Sequence, residues 1–244
     1  MGEGTYWTQA WNPMTGCTPI SAGCDHCYAR DLLRRFPLLS GSDDYEEKAL
    51  TVRLHRHRLA LPARWKKQRI VFVCNCGDLF HEAVPDEFIW RVFDEMIGEH
   101  RHQYLLLTKR AERMAAWVAG ALPTVCVDHM RHIWFGATVE SAEYEWRLDH
   151  LGEIARAGFR TWVSVEPMLS IVWVRRNAWF PDWVTVGAET GPRARECHAG
   201  WVDGIEVQCR RVSIPVWVKK HPTNPNPRRE MPPELAEVFG SHDT

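Results

Sequence analysis

Three cysteines lie close together near the start of the chain, in the segment GCTPISAGCDHCYA at residues 16–29. Six residues separate Cys17 from Cys24, and two separate Cys24 from Cys27. Three thiols are one fewer than the ligands of a closed zinc site, and one more than a disulfide uses. The chemistry of this loop therefore depends on which metal centre takes three thiolates and keeps a further position open.

Three kinds of site are compatible with this loop. A zinc ion could bind the three thiolates with His26, Asp25 or a distant cysteine, although zinc sites usually combine two short pairs of ligands. Inert buried thiols are a second alternative, but a loop with glycine and proline is a poor place to bury three of them. A [4Fe–4S] cluster fits best, because thiolates are the usual ligands of its irons and three of them leave one iron open.

An open iron is typical of radical S-adenosylmethionine (SAM) enzymes, in which the amino and carboxylate groups of SAM chelate that iron. One electron from the cluster breaks the S–C5′ bond of SAM, and the resulting 5′-deoxyadenosyl radical takes a hydrogen atom from the substrate. The protein orients the reacting atoms and excludes water. The loop thus predicts an enzyme with two cofactors, a [4Fe–4S] cluster and SAM.

Apolar runs that alternate with helical patterns must position this loop. The helical patterns between the runs predict right-handed βαβ units and a parallel sheet, either open or closed into a complete or partial barrel. Near-continuous apolar runs are typical of strands buried on both faces. The predicted strands are IVFVC (70–74), YLLLT (104–108), IWFGAT (133–138), RTWVSV (160–165), WVTVGA (183–188) and VWVK (216–219).

Polar residues follow these predicted strands. Because parallel strands end at one edge of a sheet, we expect the residues to line one cavity above the cysteines. The ordinary polarity of loops is the alternative explanation for any single one of them. The residues are Asp78, Lys109, Thr138, Glu140, Glu166 and Glu189.

Two further cysteines lie at the end of the first of these strands: Cys74 is its last residue and Cys76 follows two positions later. They would share a face if the strand continued. They could form a redox pair, an auxiliary ligand or a source of a thiyl radical, or they could be a core thiol and its neighbour. Our catalytic candidates are Cys76, Lys109, Glu166 and Glu189.

Six segments between residues 11 and 195 resemble a phage-borne radical-SAM-like family with a longer cluster loop. The resemblance covers most of the chain and implies an α/β fold, a partial (β/α)6 TIM-like barrel, as one domain over residues 1–220. It implies a [4Fe–4S] cluster on the three cysteines, SAM, and an electron donor such as flavodoxin. It also implies a place in phage or prophage genomes beside DNA-modifying functions. The segments are WNPMTGC, GCDHCYA, GDLFHEAVP, LLLTKR, SVEP and VGAETGPRAR.

The resemblance and the predicted strand-end cavity together suggest which residues bind SAM. Asp78 stands where a Gly-Gly-Glu stretch usually holds the SAM amino group, and Thr138 and Glu140 are candidates for the ribose. His26 and Tyr28, beside the third cysteine, complete the set. The chain departs from the common pattern in two places: six rather than three residues separate the first two cysteines, and VKKHP replaces a Lys-Gln-Trp stretch.

A basic segment before the first predicted strand bears on the substrate. Residues 53–69, RLHRHRLALPARWKKQR, carry seven Lys or Arg and two His, which suggests either a solvated helix face or a phosphate-binding patch near the barrel mouth. The patch favours a nucleotide or DNA base as substrate, as in phage thymidine hypermodification, for example the isomerisation of an amino-acid-modified base. A peptide or small metabolite, and a metal-binding scaffold without activity, remain alternatives.

Two regions and the cellular location complete the prediction. Residues 221–233 contain five prolines, so residues 221–244 are expected to form a Pro-rich C-terminal arm. The polar segment at 37–50 is predicted to be a loop. No basic segment precedes an apolar run at the start, and no run of about 18 apolar residues occurs, which predicts a cytoplasmic protein, in the host cytoplasm if phage-encoded, with no membrane contact.

Overall fold

The computed structural model describes residues 4–35, 51–122, 124–175, 177 and 179–241. The predicted loop at 37–50 lies outside these residues.

The described residues form a parallel sheet, a small antiparallel pair and six α-helices. The strands of the sheet are β1 (Gln9–Trp11), β4 (Ile70–Val73), β5 (Gln103–Thr108), β6 (Ile133–Thr138), β7 (Arg160–Val165), β8 (Trp183–Val186) and β9 (Val216–Val218). The antiparallel pair is β2 (Met14–Thr15) with β3 (Arg53–Leu54). The helices are α1 (Tyr28–Arg35), α2 (Asp86–Gly98), α3 (Ala111–Ala121), α4 (Arg147–Arg156), α5 (Ala199–Arg211) and α6 (Pro233–Gly240).

The sheet has seven strands in the order β1-β4-β5-β6-β7-β8-β9, and each adjacent pair is parallel. It curls into a half-barrel, so the predicted α/β fold with a partial barrel is confirmed. Each predicted apolar run overlaps a strand whose bounds differ from the prediction by at most two residues. All carboxyl ends lie at one edge, which places the loops that follow them together.

The two faces of the sheet bury different side chains, because successive strand residues point in opposite directions. One face packs small aliphatic residues such as Val163, Val184 and Val216 against the helices. The concave face carries indole rings in neighbouring strands. Those rings belong to Trp134, Trp162, Trp183 and Trp217.

The C-terminal arm covers the part of the concave face that carries the tryptophans, away from the carboxyl edge of the sheet. Leu235 and Val238 of α6 are buried against the tryptophans. The arm also pairs with β9, since the backbone N–H of Val218 donates to Arg228 O at 2.8 Å. The Pro-rich segment thus covers an edge strand whose backbone groups would otherwise face solvent.

The concave face depends on a glycine in β6. A Cβ at Gly136 would overlap the indole nitrogen of Trp162 and the carbonyl oxygen of Leu106, between which there is a hydrogen bond of 2.9 Å. The Gly136→Ala variant should therefore lose about 2 kcal/mol of stability, the usual cost of overpacking, and its Tm should fall by roughly 4–8 °C.

Gly120, in α3, provides the matched control. An added Cβ there meets open space, and alanine in a helix is favoured over glycine by about 0.5–1 kcal/mol. Thermal unfolding followed by circular dichroism should give a Tm at or above wild type for Gly120→Ala. An undiminished Tm for Gly136→Ala would contradict the packing described for the tryptophan face.

Candidate active site

The cysteine loop lies across the carboxyl edge of the sheet. The backbone N–H of Gly16 donates to Cys76 O at 3.0 Å, which attaches the start of the loop to the residues after β4. The loop ends at Cys27, directly before the first residue of α1. It therefore crosses the edge from which the polar strand-end residues project.

The three thiols open on one cavity of about 150 Å³, which adjoins a larger one of about 390 Å³ in the barrel interior. Together they form a continuous space from the loop to the concave face, because six residues line both: Cys27, Tyr28, Phe72, Leu107, Lys109 and Thr138. Other predicted site residues that line the first cavity are Cys17, Cys24, Cys76 and Asp78. Those that line the second are His26, Glu166 and Glu189.

Glu140 is the exception, and the expectation that it lines the cavity is wrong. Its side chain is fully buried, and Oε2 accepts a 2.7 Å hydrogen bond from the buried Arg147 guanidinium. The carboxylate packs behind the loop, where a Cβ at Gly23 would lie 3.0 Å from Oε1. Oε1 has no hydrogen-bond partner within the described part of the chain. Glu140 thus supports the cysteine loop from below, and its contact with the SAM ribose stays a prediction.

Asp78 lies in the first cavity, and several protein donors already occupy its oxygens. Oδ1 accepts from the Thr108 hydroxyl at 2.7 Å and the Phe80 amide at 3.0 Å. Oδ2 accepts from the Arg110 guanidinium at 3.2 Å and the Lys109 amide at 3.3 Å. Asp78 is therefore an anchor for the start of α3, and any SAM amino group would share an already bonded carboxylate.

Arg110 is a site residue to which the sequence assigned no role. Its guanidinium donates to the sulfur of Cys17 at 3.3 Å and to the hydroxyl of Thr18 at 2.9 Å. The available signal was its place in the LLLTKR segment, directly after a predicted strand. Arg110 holds the first cysteine of the loop from one side.

A second arginine holds the other side of the loop. Arg195 donates to Ala22 O at 2.9 Å and pairs with the carboxylate of Glu189 at 2.5 Å. Glu189 also lies 3.1 Å from Nδ1 of His26. Burial alone would raise the pKa of Glu189, but the hydrogen bonds from Arg195 and His26 lower it to about 2. Glu189 thus stays ionised and positions the loop, which makes it a poor proton donor.

An ion pair lies in the second cavity. The ammonium group of Lys219 is 2.6 Å from the carboxylate of Glu166, and it stands 5.9 Å from the centre of the Tyr6 ring. Both charged side chains are partly exposed to the cavity. This pair offers one acid and one base to a ligand in the barrel interior.

The thiols suit a metal centre once deprotonated. Burial, with a contribution from Asp78 and against the opposing effect of Arg110, raises the pKa of Cys17 to about 12. Burial also raises the pKa of Cys76 to about 11. A metal centre that binds Cys17 must therefore displace the proton of its thiol.

The donor set fits an iron–sulfur cluster. In the described ranges, no group of three Cys, His, Asp or Glu side chains is arranged to hold one metal ion. A [4Fe–4S] cluster places each thiolate on a different iron, so its three sulfurs need not converge on one atom. Cys17, Cys24 and Cys27, which all line one cavity, provide three such thiolates.

The basic segment lies elsewhere than expected. Lys66 and Lys67 come shortly before β4, and the carbonyl of Arg69 accepts from the amide of Gln103 at the start of β5. This part of the segment is therefore at the amino edge of the sheet, opposite the cavities. Its predicted position near the barrel mouth is wrong for Arg64, Lys66 and Lys67, although Arg53 remains near the mouth through the pairing of β3 with β2.

No helix within the described residues is long and apolar enough to cross a membrane.

The fold is similar to that of solved spore photoproduct lyases. A tyrosine-to-phenylalanine variant matches with a TM-score of 0.54 and 12% identity, over 87% of this chain and 76% of that chain. A spore photoproduct lyase complexed with dinucleoside spore photoproduct matches with a TM-score of 0.54 and 13% identity, over the same shares. At such identities the likeness shows the fold alone.

A comparison with curated proteins gives no match. A family model does match, over residues 3–230, which is nearly the whole chain. By this match the protein belongs to the family described as protein of unknown function (DUF5131).

Proposed function

We propose that this protein is a radical SAM enzyme that holds a [4Fe–4S] cluster on Cys17, Cys24 and Cys27 and acts on a nucleotide or DNA base. The observation that carries the proposal is the continuous space between the three thiols and the barrel interior. A cofactor at the loop and a substrate on the concave face would be neighbours there.

The residues between the two cavities would orient SAM. Cys17, Cys24 and Cys27 would hold the cluster, which would supply the electron for reductive cleavage of SAM. His26 and Tyr28 flank Cys27 and face the second cavity, where an imidazole and a phenol ring suit a purine. Thr138 lies at the junction of the cavities, within reach of a sugar hydroxyl. Lys109 borders both and would bind a carboxylate.

The second cavity suits a nucleobase. Its wall includes the aromatic rings of Tyr6, Trp7 and Phe72, and aromatic faces stack on bases of any sequence. The solved spore photoproduct lyase with dinucleoside spore photoproduct has the same fold, which supports a dinucleotide-sized or base substrate for this chain. Enzymes that act on a base in a duplex must first extrude it into such a pocket.

The ion pair of Lys219 and Glu166 supports a finer proposal. Each could exchange its partner for a group on the substrate, so a base that carries an amino acid would find both a cation and an anion. This fits the phage thymidine hypermodification to which the family resemblance points, such as the isomerisation of an amino-acid-modified base in the host cytoplasm. Cys76, whose thiol faces the first cavity, is the candidate for a hydrogen-atom donor, and a flavodoxin-like protein is the proposed reductant.

Loss of any cluster ligand should abolish the cluster. Cys17→Ala, Cys24→Ala and Cys27→Ala, reconstituted without oxygen, should lose the iron and the brown visible absorption, because each iron needs a thiolate. Cys197→Ala, which changes a core thiol outside both cavities, should keep them. Full iron content in Cys17→Ala would overturn the assignment.

The reduced protein should cleave SAM. With dithionite as the electron donor, chromatography should detect 5′-deoxyadenosine. Thr138→Val removes one hydroxyl and should weaken SAM binding about fivefold, the usual value of one hydrogen bond. Thr185→Val, in β8 and outside both cavities, should bind SAM as wild type does. A full cluster without any 5′-deoxyadenosine would contradict the radical reading.

A nucleic-acid substrate should accelerate SAM cleavage, because a bound substrate completes a site from which water is excluded. Short thymidine oligonucleotides, with and without an amino-acid-modified base, should raise the initial rate. Lys219→Met should reduce this stimulation several-fold, whereas Lys67→Ala, at the opposite edge of the sheet, should retain it. Stimulation by a peptide and by no nucleotide would favour the other substrate class.

A further inference from the structure

We propose that Arg110 sets the electron affinity of the cluster by donating a hydrogen bond to the sulfur of Cys17, an inference that rests on the proposed function. Nη1 of Arg110 lies 3.3 Å from that sulfur, and the arginine side chain is only 9% exposed. Arg110 directly precedes the first turn of α3, so its backbone is fixed by the helix.

The direction of this hydrogen bond is fixed by the other contacts of the guanidinium. Nε donates to Glu82 at 2.9 Å, and Nη1 also donates to Asp78 at 3.2 Å. Nη2 donates to the hydroxyl and the carbonyl of Thr18, at 2.9 Å and 3.3 Å. An arginine offers five N–H donors in a rigid fork, and each nitrogen here has an acceptor. The fork therefore cannot rotate away from Cys17 without losing several hydrogen bonds.

The loop does not require a contact with sulfur in order to be held. On the other side of the loop, Arg195 fixes its position by donating to Ala22 O and pairing with the Glu189 carboxylate, without a hydrogen bond to any cysteine sulfur that the structure describes. Arg110 already reaches the loop through Thr18. Its additional bond to the Cys17 sulfur is aimed at a ligand atom of the cluster, which gives it an electronic effect as well as a structural one.

A one-electron donor reduces the cluster without breaking or forming a bond, and the cluster gains one negative charge. Hydrogen bonds to the sulfurs, the local net charge and the exclusion of solvent set the potential of that step. A guanidinium bonded to Cys17 favours the reduced form, and at a buried position its charge is only weakly screened. The Asp78 carboxylate has the opposite effect, because it offsets the positive charge of Arg110.

The test is a redox titration of the full-length reconstituted protein with dithionite, followed by electron paramagnetic resonance of the reduced cluster. Arg110→Gln removes the cation and should lower the midpoint potential. At a fixed potential we expect about a tenfold smaller ratio of reduced to oxidised cluster, which is 59 mV for one electron. Asp78→Asn removes the opposing charge and should raise the midpoint potential.

Arg113→Gln is the matched control. Arg113 lies in the first turn of α3, directly after Arg110 caps that helix, and it binds Val84 O and Asp86. Among the described residues it makes no hydrogen bond to the cysteine loop. Its variant should titrate as wild type does. If Arg110→Gln fails to retain iron, the Asp78→Asn protein decides the matter, since only a higher midpoint potential supports the inference.

Iron content separates the two possible failures. Wild-type protein that binds no cluster after reconstitution would contradict the proposed function itself. A full cluster whose midpoint potential is unchanged in both Arg110→Gln and Asp78→Asn, or shifts in the same direction in both, would overturn the role of Arg110 and leave the proposed function intact.

Discussion

The common direction of seven strands is the constraint on which the site depends. Because every adjacent pair is parallel, the residues after each strand meet at one edge, even when more than a hundred positions separate them in sequence. Asp78 follows β4 and Lys219 follows β9, yet they line adjoining cavities. The tryptophans and α6 close the lower part of the concave face, so the open space remains at this edge.

The strand ends also hold the cysteine loop in place. Two arginines donate hydrogen bonds to it from opposite sides, Arg110 to the sulfur of Cys17 and Arg195 to the carbonyl oxygen of Ala22. Below it lies the buried pair of Glu140 and Arg147. Burying an ion pair away from solvent costs free energy unless the two groups are well aligned. Here the Glu140 carboxylate packs against the loop at Gly23, where an added Cβ would lie only 3.0 Å from Oε1. A metal centre on this loop would gain ligands that are positioned before it binds.

The sequence predicts the elements of this structure better than their contacts. Apolar runs indicated the strands, because a strand buried on both faces needs apolar residues throughout. The cysteine spacing likewise indicated a loop that could bind a metal centre. Local patterns carry no information on pairs such as Arg110 and Cys17, which are 93 residues apart. For the same reason, the burial of Glu140 and the position of Lys66 at the amino edge became clear only from the three-dimensional arrangement.

The open coordination position is the central feature of the proposed chemistry, and electron paramagnetic resonance tests it directly. Anaerobically reconstituted and reduced wild-type protein should give the spectrum of a [4Fe–4S] cluster, and its g values should shift when SAM is added, because SAM would bind the iron that no cysteine holds. A spectrum that stays identical with and without saturating SAM would contradict an open iron beside Cys17, Cys24 and Cys27.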